Sequence, residues 1–324
     1  MSSKLQATRR QIGLALKGAA MGAANVIPGV SGGTIAFITG IYEELINSIK
    51  SFDLDALKLA FRFKIKEFIE HTNLKFLIPI GIGVIVSIVS LAKLLKYLFQ
   101  THEVVTMAFF FGLIVSSVYL VGKQIEKWNV PAIFMLLIGG GIAVSIAFLK
   151  PAEPDPNPIW VFVCGIVAIS SMILPGLSGS YVLLIMGNYL LILSAISEFK
   201  FGILIPMCVG CGFGLIAFSH LLSYIFKHFR NGTIGLLTGF VTGSLVIIWP
   251  WKDKLFLKDE AGVEILRKGK QIVAGYEWRI PEMNGDFAIA MFVMLVGVVA
   301  VIIIGRFDDA KPERPSTAEP VSTE

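Results

Sequence analysis

Six stretches of this chain stay apolar for about twenty residues each, near 74–98, 104–122, 132–150, 201–226, 233–251 and 286–305. A helix of that length matches the hydrocarbon core of a bilayer. In lipid the backbone must also satisfy its own hydrogen bonds, which leaves helices or closed barrels. Composition agrees, with 55% of the 324 residues hydrophobic and only 16% charged, against roughly 25% charged in an ordinary soluble domain. The chain therefore reads as an all-α polytopic membrane protein. Its opening, MSSKLQATRRQIGLALKG, does not read as a cleaved signal, because polar and basic residues interrupt the short apolar stretch. No segment is polar enough for a detached soluble domain. The net charge of +5 is better read through its placement on loops than as a nucleic-acid footprint, and no nucleic-acid partner is expected.

Two further apolar regions are broken. Residues 11–27 and 34–49 flank PGVSGG, and residues 158–174 and 180–197 flank PGLSGS. Proline and glycine at this density interrupt a membrane helix and leave backbone groups unpaired. Such backbone is tolerated at membrane depth only when buried in protein or facing a water-filled cavity. Each region reads as a re-entrant helix–break–helix hairpin (11–49 and 158–197), with a sharply broken spanning helix as the alternative.

The breaks belong to a longer repeat. A shift of 147 positions lays Pro28, Gly29, Ser31 and Gly32 on Pro175, Gly176, Ser178 and Gly179, then Gly40 on Gly187 and Tyr42 on Tyr189. A weaker echo, FFGLIVSS at 110–117 against LTGFVTGS at 237–244, needs a shift of 127. The extra residues of the first unit are the segment 50–73, where Lys58, Arg62 and Lys66 fall four apart among helically spaced apolar residues. That segment reads as an amphipathic helix on the membrane surface. The expected organisation is repeat 1 over 1–150, repeat 2 over 151–305 and a disordered cytoplasmic tail over 306–324. Each unit holds one hairpin and three crossings, an odd number, so the second lies inverted relative to the first, as in secondary transporters. Basic residues collect on one side, at Lys4, Arg9, Arg10, Lys17, the 50–75 segment, Lys123, Lys127, Lys227, Arg230 and Arg306. That side is predicted to be cytoplasmic, with both termini inside and the 252–284 loop outside.

The residue types at the breaks suit an anion. Ser31 and Ser178 are placed to cap the following half-helix. Backbone N–H groups near Gly32, Gly33 and Thr34, and near Gly179, Ser180 and Tyr181, then point into the break, where the helix dipole favours negative charge. The hydroxyls of Ser31, Thr34, Ser178 and Ser180 add donors. Inverted repeats can bring the two helix starts together near the membrane centre, holding a phosphate without burying a full positive charge. The same small residues also pack helices closely, and unwound segments also coordinate cations through carbonyls. Duplication with a matched Gly–x–Tyr downstream favours a transporter site.

Auxiliary candidates are Asn25 (replaced by Met172 in the second unit), Tyr42, Glu43, Tyr189 and Lys17. Glu43 and Glu44 either supply a coupling carboxylate or sit solvated at a helix end. Lys17 either draws an anionic headgroup or sets orientation. Catalysis finds no support. The four histidines are scattered, Cys208 and Cys211 sit in an apolar run without a basic neighbour, and there is no P-loop. No catalytic residue, metal site or cofactor is expected.

The string MGAANVIPGVSGGTIAFITGIYEELI, Met21 to Ile46, resembles the signature of the bacterial PopT-type membrane proteins, the undecaprenyl phosphate translocase family. ILPGLSGSYVLLIMGNY, Ile173 to Tyr189, resembles that family's second signature, and the similarity runs from about Gly13 to Gly305. The resemblance implies a transporter that returns undecaprenyl phosphate, the C55 lipid carrier of cell-envelope synthesis, from the outer to the inner leaflet of the cytoplasmic membrane. Carried over by position, its headgroup residues are Pro28, Gly29, Ser31, Gly32, Gly33 and Thr34 with Pro175, Gly176, Ser178, Gly179 and Ser180. The coupling ion stays open between H+ and Na+. The alternatives are a transporter of a small inorganic ion or soluble anion, and a membrane scaffold without transport.

Overall fold

The computed structural model describes residues 3–26, 31–149, 151–256, 266–267, 270–271 and 273–308. Pro28 and Gly29 of the first motif, and residues 309–324 of the expected tail, lie outside them. The first half contains α1 (Ser3–Val26), α2 (Gly32–Ile38), α3 (Tyr42–Lys50), α4 (Leu54–Phe61), α5 (Ile65–His71), α6 (Leu74–Thr101), α7 (Glu103–Gly122) and α8 (Val130–Ala147). The second contains α9 (Pro158–Ile173), α10 (Gly179–Ile185), α11 (Tyr189–Ser197), α12 (Phe201–His228), α13 (Arg230–Ile248), strands β1 (Lys252–Phe256), β2 (Leu266–Arg267), β3 (Lys270–Gln271) and β4 (Val273–Trp278), and α14 (Gly285–Asp308).

The six apolar runs form α6, α7, α8, α12, α13 and α14, each long and apolar enough to cross a membrane. The chain is a multi-pass, almost wholly helical membrane protein. Its long helices pair as α1 with α6, α9 with α12, α8 with α13 and α7 with α14. The first two pairs lie within one half of the chain, and the last two join the halves. Glycines set these contacts. Gly18 of α1 lies against the backbone of Ile80 in α6, and Gly139 and Gly239 bring α8 and α13 within touching distance. Close backbone approach through small residues is the main packing device available where lipid is as apolar as leucine. The span of α13 is 67% buried, while those of α6, α8, α12 and α14 are only 17–22% buried. Thus α13 is central and the others turn Ile85, Leu137, Phe213 and Phe292 outward.

Three local features depart from the sequence reading. Beyond each PGxSG break, the second hairpin arm is two short helices instead of one. Gly40 (φ 69°) and Gly187 (φ 82°) adopt left-handed backbone there, and α10 and α11 diverge by 109°. Left-handed backbone carries little cost only for glycine, so the Gly–x–Tyr motif marks a second corner. The 50–73 insert is likewise two helices, α4 and α5, separated at Phe63 (φ 53°). Its apolar side chains Leu54, Leu57, Phe61, Phe63 and Ile65 are all exposed. Finally, the loop after α13 contains an antiparallel ribbon in which Lys252 of β1 lies opposite Trp278 of β4, and Lys254 opposite Tyr276.

Candidate functional site

The two breaks, separated by most of one repeat in sequence, meet in space. Ser31 Oγ donates to the carbonyl of Met172 at 3.1 Å. The backbone N–H of Gly176 donates to Thr34 Oγ1 at 2.9 Å, and Tyr42 Oη donates to the Ile173 carbonyl at 3.1 Å. Gly33 packs so tightly here that a Cβ would lie 2.5 Å from the Ile173 carbonyl oxygen. Carbonyls freed by the second break are therefore taken up by hydroxyls of the first, as buried backbone requires. Ser31, Thr34 and Tyr42 are all buried.

The two helix starts differ. At α2, Ser31 acts as the expected cap, accepting from Gly33 N at 3.1 Å, while Thr34 N donates to the Ser31 carbonyl at 3.0 Å. The N–H of Gly32 donates to Asn25 Oδ1 at 2.7 Å. All three N–H groups are thus engaged within the first unit. At α10, Ser178 makes no side-chain cap; its Oγ lies 2.9 Å from Ser180 Oγ. Among the described residues nothing accepts from the N–H groups of Gly179, Ser180 or Tyr181. For Gly179 the physical cause is at position 172. Met172 lies over Gly179 as Asn25 lies over Gly32, but a thioether is a weak acceptor where an amide oxygen is a strong one.

Pro175 and Gly176 are buried, with Gly176 at φ 83° against the Phe240 carbonyl of α13. Ser178 is half-buried and Ser180 exposed, and both face a cavity of about 160 Å³ that Tyr181, Tyr189, Lys252 and Tyr276 also line. The last two residues come from the ribbon and were not among the candidates found in the sequence. The signal was present in IIWPWKDK, where aromatic residues and a lysine follow a span in the pattern of a membrane-interface anchor. A more open recess of about 620 Å³ lies along the neighbouring face of α13, lined by Phe111, Leu245, Val246, Trp249 and Trp278.

The remaining candidates lie apart from the breaks. Lys17 Nζ donates to the Thr39 carbonyl at 2.6 Å, placing a cation at the C-terminal end of α2, where the helix dipole favours it. Glu43 lies in the first turn of α3 and pairs with Arg230 at 2.7 Å, and Glu44 lies 3.5 Å from Arg10. Both carboxylates are half-exposed, and Glu43 lines a recess of about 370 Å³ together with Asn47, Ser223, Lys227 and Arg230. The described residues contain no cluster of ligands suited to a metal ion.

The fold and these contacts define a multi-pass helical membrane protein whose two broken helices meet at duplicated PGxSG corners. The chain belongs to the undecaprenyl phosphate translocase-like family, whose model matches residues 21–265. It is 39% identical over 293 residues to a polyprenyl-phosphate transporter of Vibrio cholerae, a match covering 90% of this chain and 95% of that protein. A polyprenyl-phosphate transporter of Staphylococcus aureus is 36% identical over 254 residues, covering 72% of this chain and 85% of its own. No solved structure matches the chain.

Proposed function

We propose that this protein carries undecaprenyl phosphate from the outer to the inner leaflet of the bacterial cytoplasmic membrane, for reuse of the lipid carrier in envelope synthesis. The carrying observation is the direct contact of the two breaks through Ser31, Thr34 and Tyr42 with residues 172–176. Broken helices at the interface of inverted repeats are where secondary transporters bind their cargo. The pairing of α8 with α13 and α7 with α14 across the halves supports two equivalent inverted units that rock against each other. Both termini face the cytoplasm in this reading, and the ribbon faces outward.

The phosphate is held at the breaks by Ser31, Gly32, Gly33, Thr34, Ser178, Gly179 and Ser180, with Pro175 and Gly176 shaping the second corner. In the present conformation the second corner is the open one, so cargo engages Ser178, Gly179 and Ser180 first. Asn25, Tyr42, Tyr189, Lys17 and Glu43 have supporting roles, and transport is coupled to H+ or Na+. The apolar recess along α13 favours a lipid over a soluble anion, because a polyprenyl chain needs a hydrocarbon-lined path beside the headgroup. No chemical conversion of the cargo is involved.

The test is flipping of labelled undecaprenyl phosphate in proteoliposomes, with imposed pH or sodium gradients. Gradient-driven movement is expected in the wild type, with both movement and lipid binding lost in Ser31→Val/Ser178→Val. Unaltered binding in that folded variant would count against the corner as the site. Transport of a soluble anion without lipid movement would replace the cargo.

A further inference from the structure

The cavity beside the second break contains chemistry that the duplicated motif does not provide. Its cation, Lys252, arrives on β1, and the pairing of β1 with β4 sets its ammonium 4.1 Å from the centroid of the Tyr276 ring. The same ammonium donates to the Ile247 carbonyl at the end of α13. Across the space lie the Ser178 and Ser180 hydroxyls, 2.9 Å from each other. Burial, followed by the nearby Tyr181 and Glu103, pushes the Tyr276 phenol up to about 12, so it remains a neutral O–H donor at physiological pH. The cavity has a volume of about 160 Å³ and is half open, which leaves room for a phosphate group.

We propose that this cavity is a loading site for a phosphate monoester headgroup, in which Lys252 supplies the positive charge and Ser178, Ser180 and Tyr276 supply hydroxyl donors. The proposal rests on polyprenyl phosphate being the cargo. It adds a full cation that meets the headgroup on the ribbon side, before the headgroup reaches the corner between the halves.

The experiment titrates full-length protein in nanodiscs with fluorescent undecaprenyl phosphate. Inorganic phosphate serves as the competitor. The proteins compared are the wild type, Lys252→Gln, Lys252→Arg and the double variant Ser178→Ala/Ser180→Ala. Lys252→Gln is expected to weaken binding about tenfold, the scale of a lost charge-assisted hydrogen bond, and Lys252→Arg to stay within a few-fold of wild type. Wild-type affinity in Lys252→Gln overturns the loading site and leaves the cargo reading standing, whereas a wild type that does not bind the lipid overturns both. Inorganic phosphate competing as strongly as the lipid reassigns the cavity to a soluble anion and overturns the headgroup assignment. If thermal unfolding shows Lys252→Gln to be misfolded, the serine double variant, which leaves the ribbon intact, decides: unchanged affinity overturns the proposal.

Discussion

Asn25 and Met172 occupy matching places over Gly32 and Gly179, and the difference between an amide and a thioether decides which corner is open. Met172→Asn is therefore expected to give the Gly179 N–H an acceptor and close the second corner. Binding of labelled undecaprenyl phosphate should fall, while thermal stability rises by up to about 1 kcal/mol, the worth of a helix cap. Binding that is unchanged or stronger would separate the free N–H groups from headgroup recognition. Gly176 makes a second prediction at this scale. Its φ of 83° strains any side chain, and a Cβ would lie 2.5 Å from the Phe240 carbonyl oxygen. Gly176→Ala should cost at least about 2 kcal/mol, combining backbone strain with overpacking. A thermal unfolding midpoint in detergent within a degree of wild type would contradict that. The sequence announced this glycine as part of a motif, but the carbonyl it must pass belongs to α13, which only the folded chain brings there.

Among the elements, the spans were the most legible, because about twenty apolar residues have few alternatives to crossing a bilayer. The corners after Gly40 and Gly187 were less so. The Gly–x–Tyr pattern was visible, but its left-handed backbone depends on what packs around it. At the second corner, Asn188 Oδ1 accepts from Asp155 N at 2.9 Å and holds the preceding connection in place. The 50–73 insert has helical periodicity throughout, yet it turns at Phe63 and starts its first helix on a side-chain cap. Asp53 accepts from Asp55 N and Ala56 N at 3.0 and 2.9 Å and lies 3.1 Å from His71 Nε2. The Ala56 N–H chiefly holds the Asp53 carboxyl below the usual carboxylate range, with partial burial opposing and His71 and the Asp55 N–H adding to it. A lowered carboxyl contributes stability above its ordinary pKa and loses it as pH falls through the folded value. The α4 amides should accordingly lose exchange protection on acidification from about pH 5 to pH 2. Asp53→Ala should remove about 1 kcal/mol of local stability and the acid dependence with it. Protection that stays constant with pH would show that the cap does not hold the helix.

For the whole molecule, the Glu43–Arg230 ion pair lines one recess while the Ser178–Lys252 cavity is a separate one. The Glu43–Arg230 pair ties the first turn of α3 to the start of α13. Exposed pairs of this kind contribute about 0.2–1 kcal/mol. Glu43→Arg should therefore change the transport rate by up to about fivefold with little effect on the unfolding midpoint. The swap Glu43→Arg/Arg230→Glu should restore the rate. A swapped protein that folds but has lost gradient-driven transport would instead assign Glu43 to proton coupling.

The sequence by itself determined that the chain is a polytopic helical membrane protein, where its spans run, and that two matching breaks interrupt it. Those features follow from local physics: lipid cannot hydrogen-bond the backbone, and proline and glycine cannot continue a helix at such density. The tertiary structure alone decided that the breaks satisfy each other through Ser31, Thr34 and Tyr42. It also decided that Asn25 closes one corner while Met172 leaves the other open, and that a ribbon lysine stands over the open one. Each of these depends on which distant donor reaches which distant acceptor, a matter of packing geometry that residue order does not encode locally.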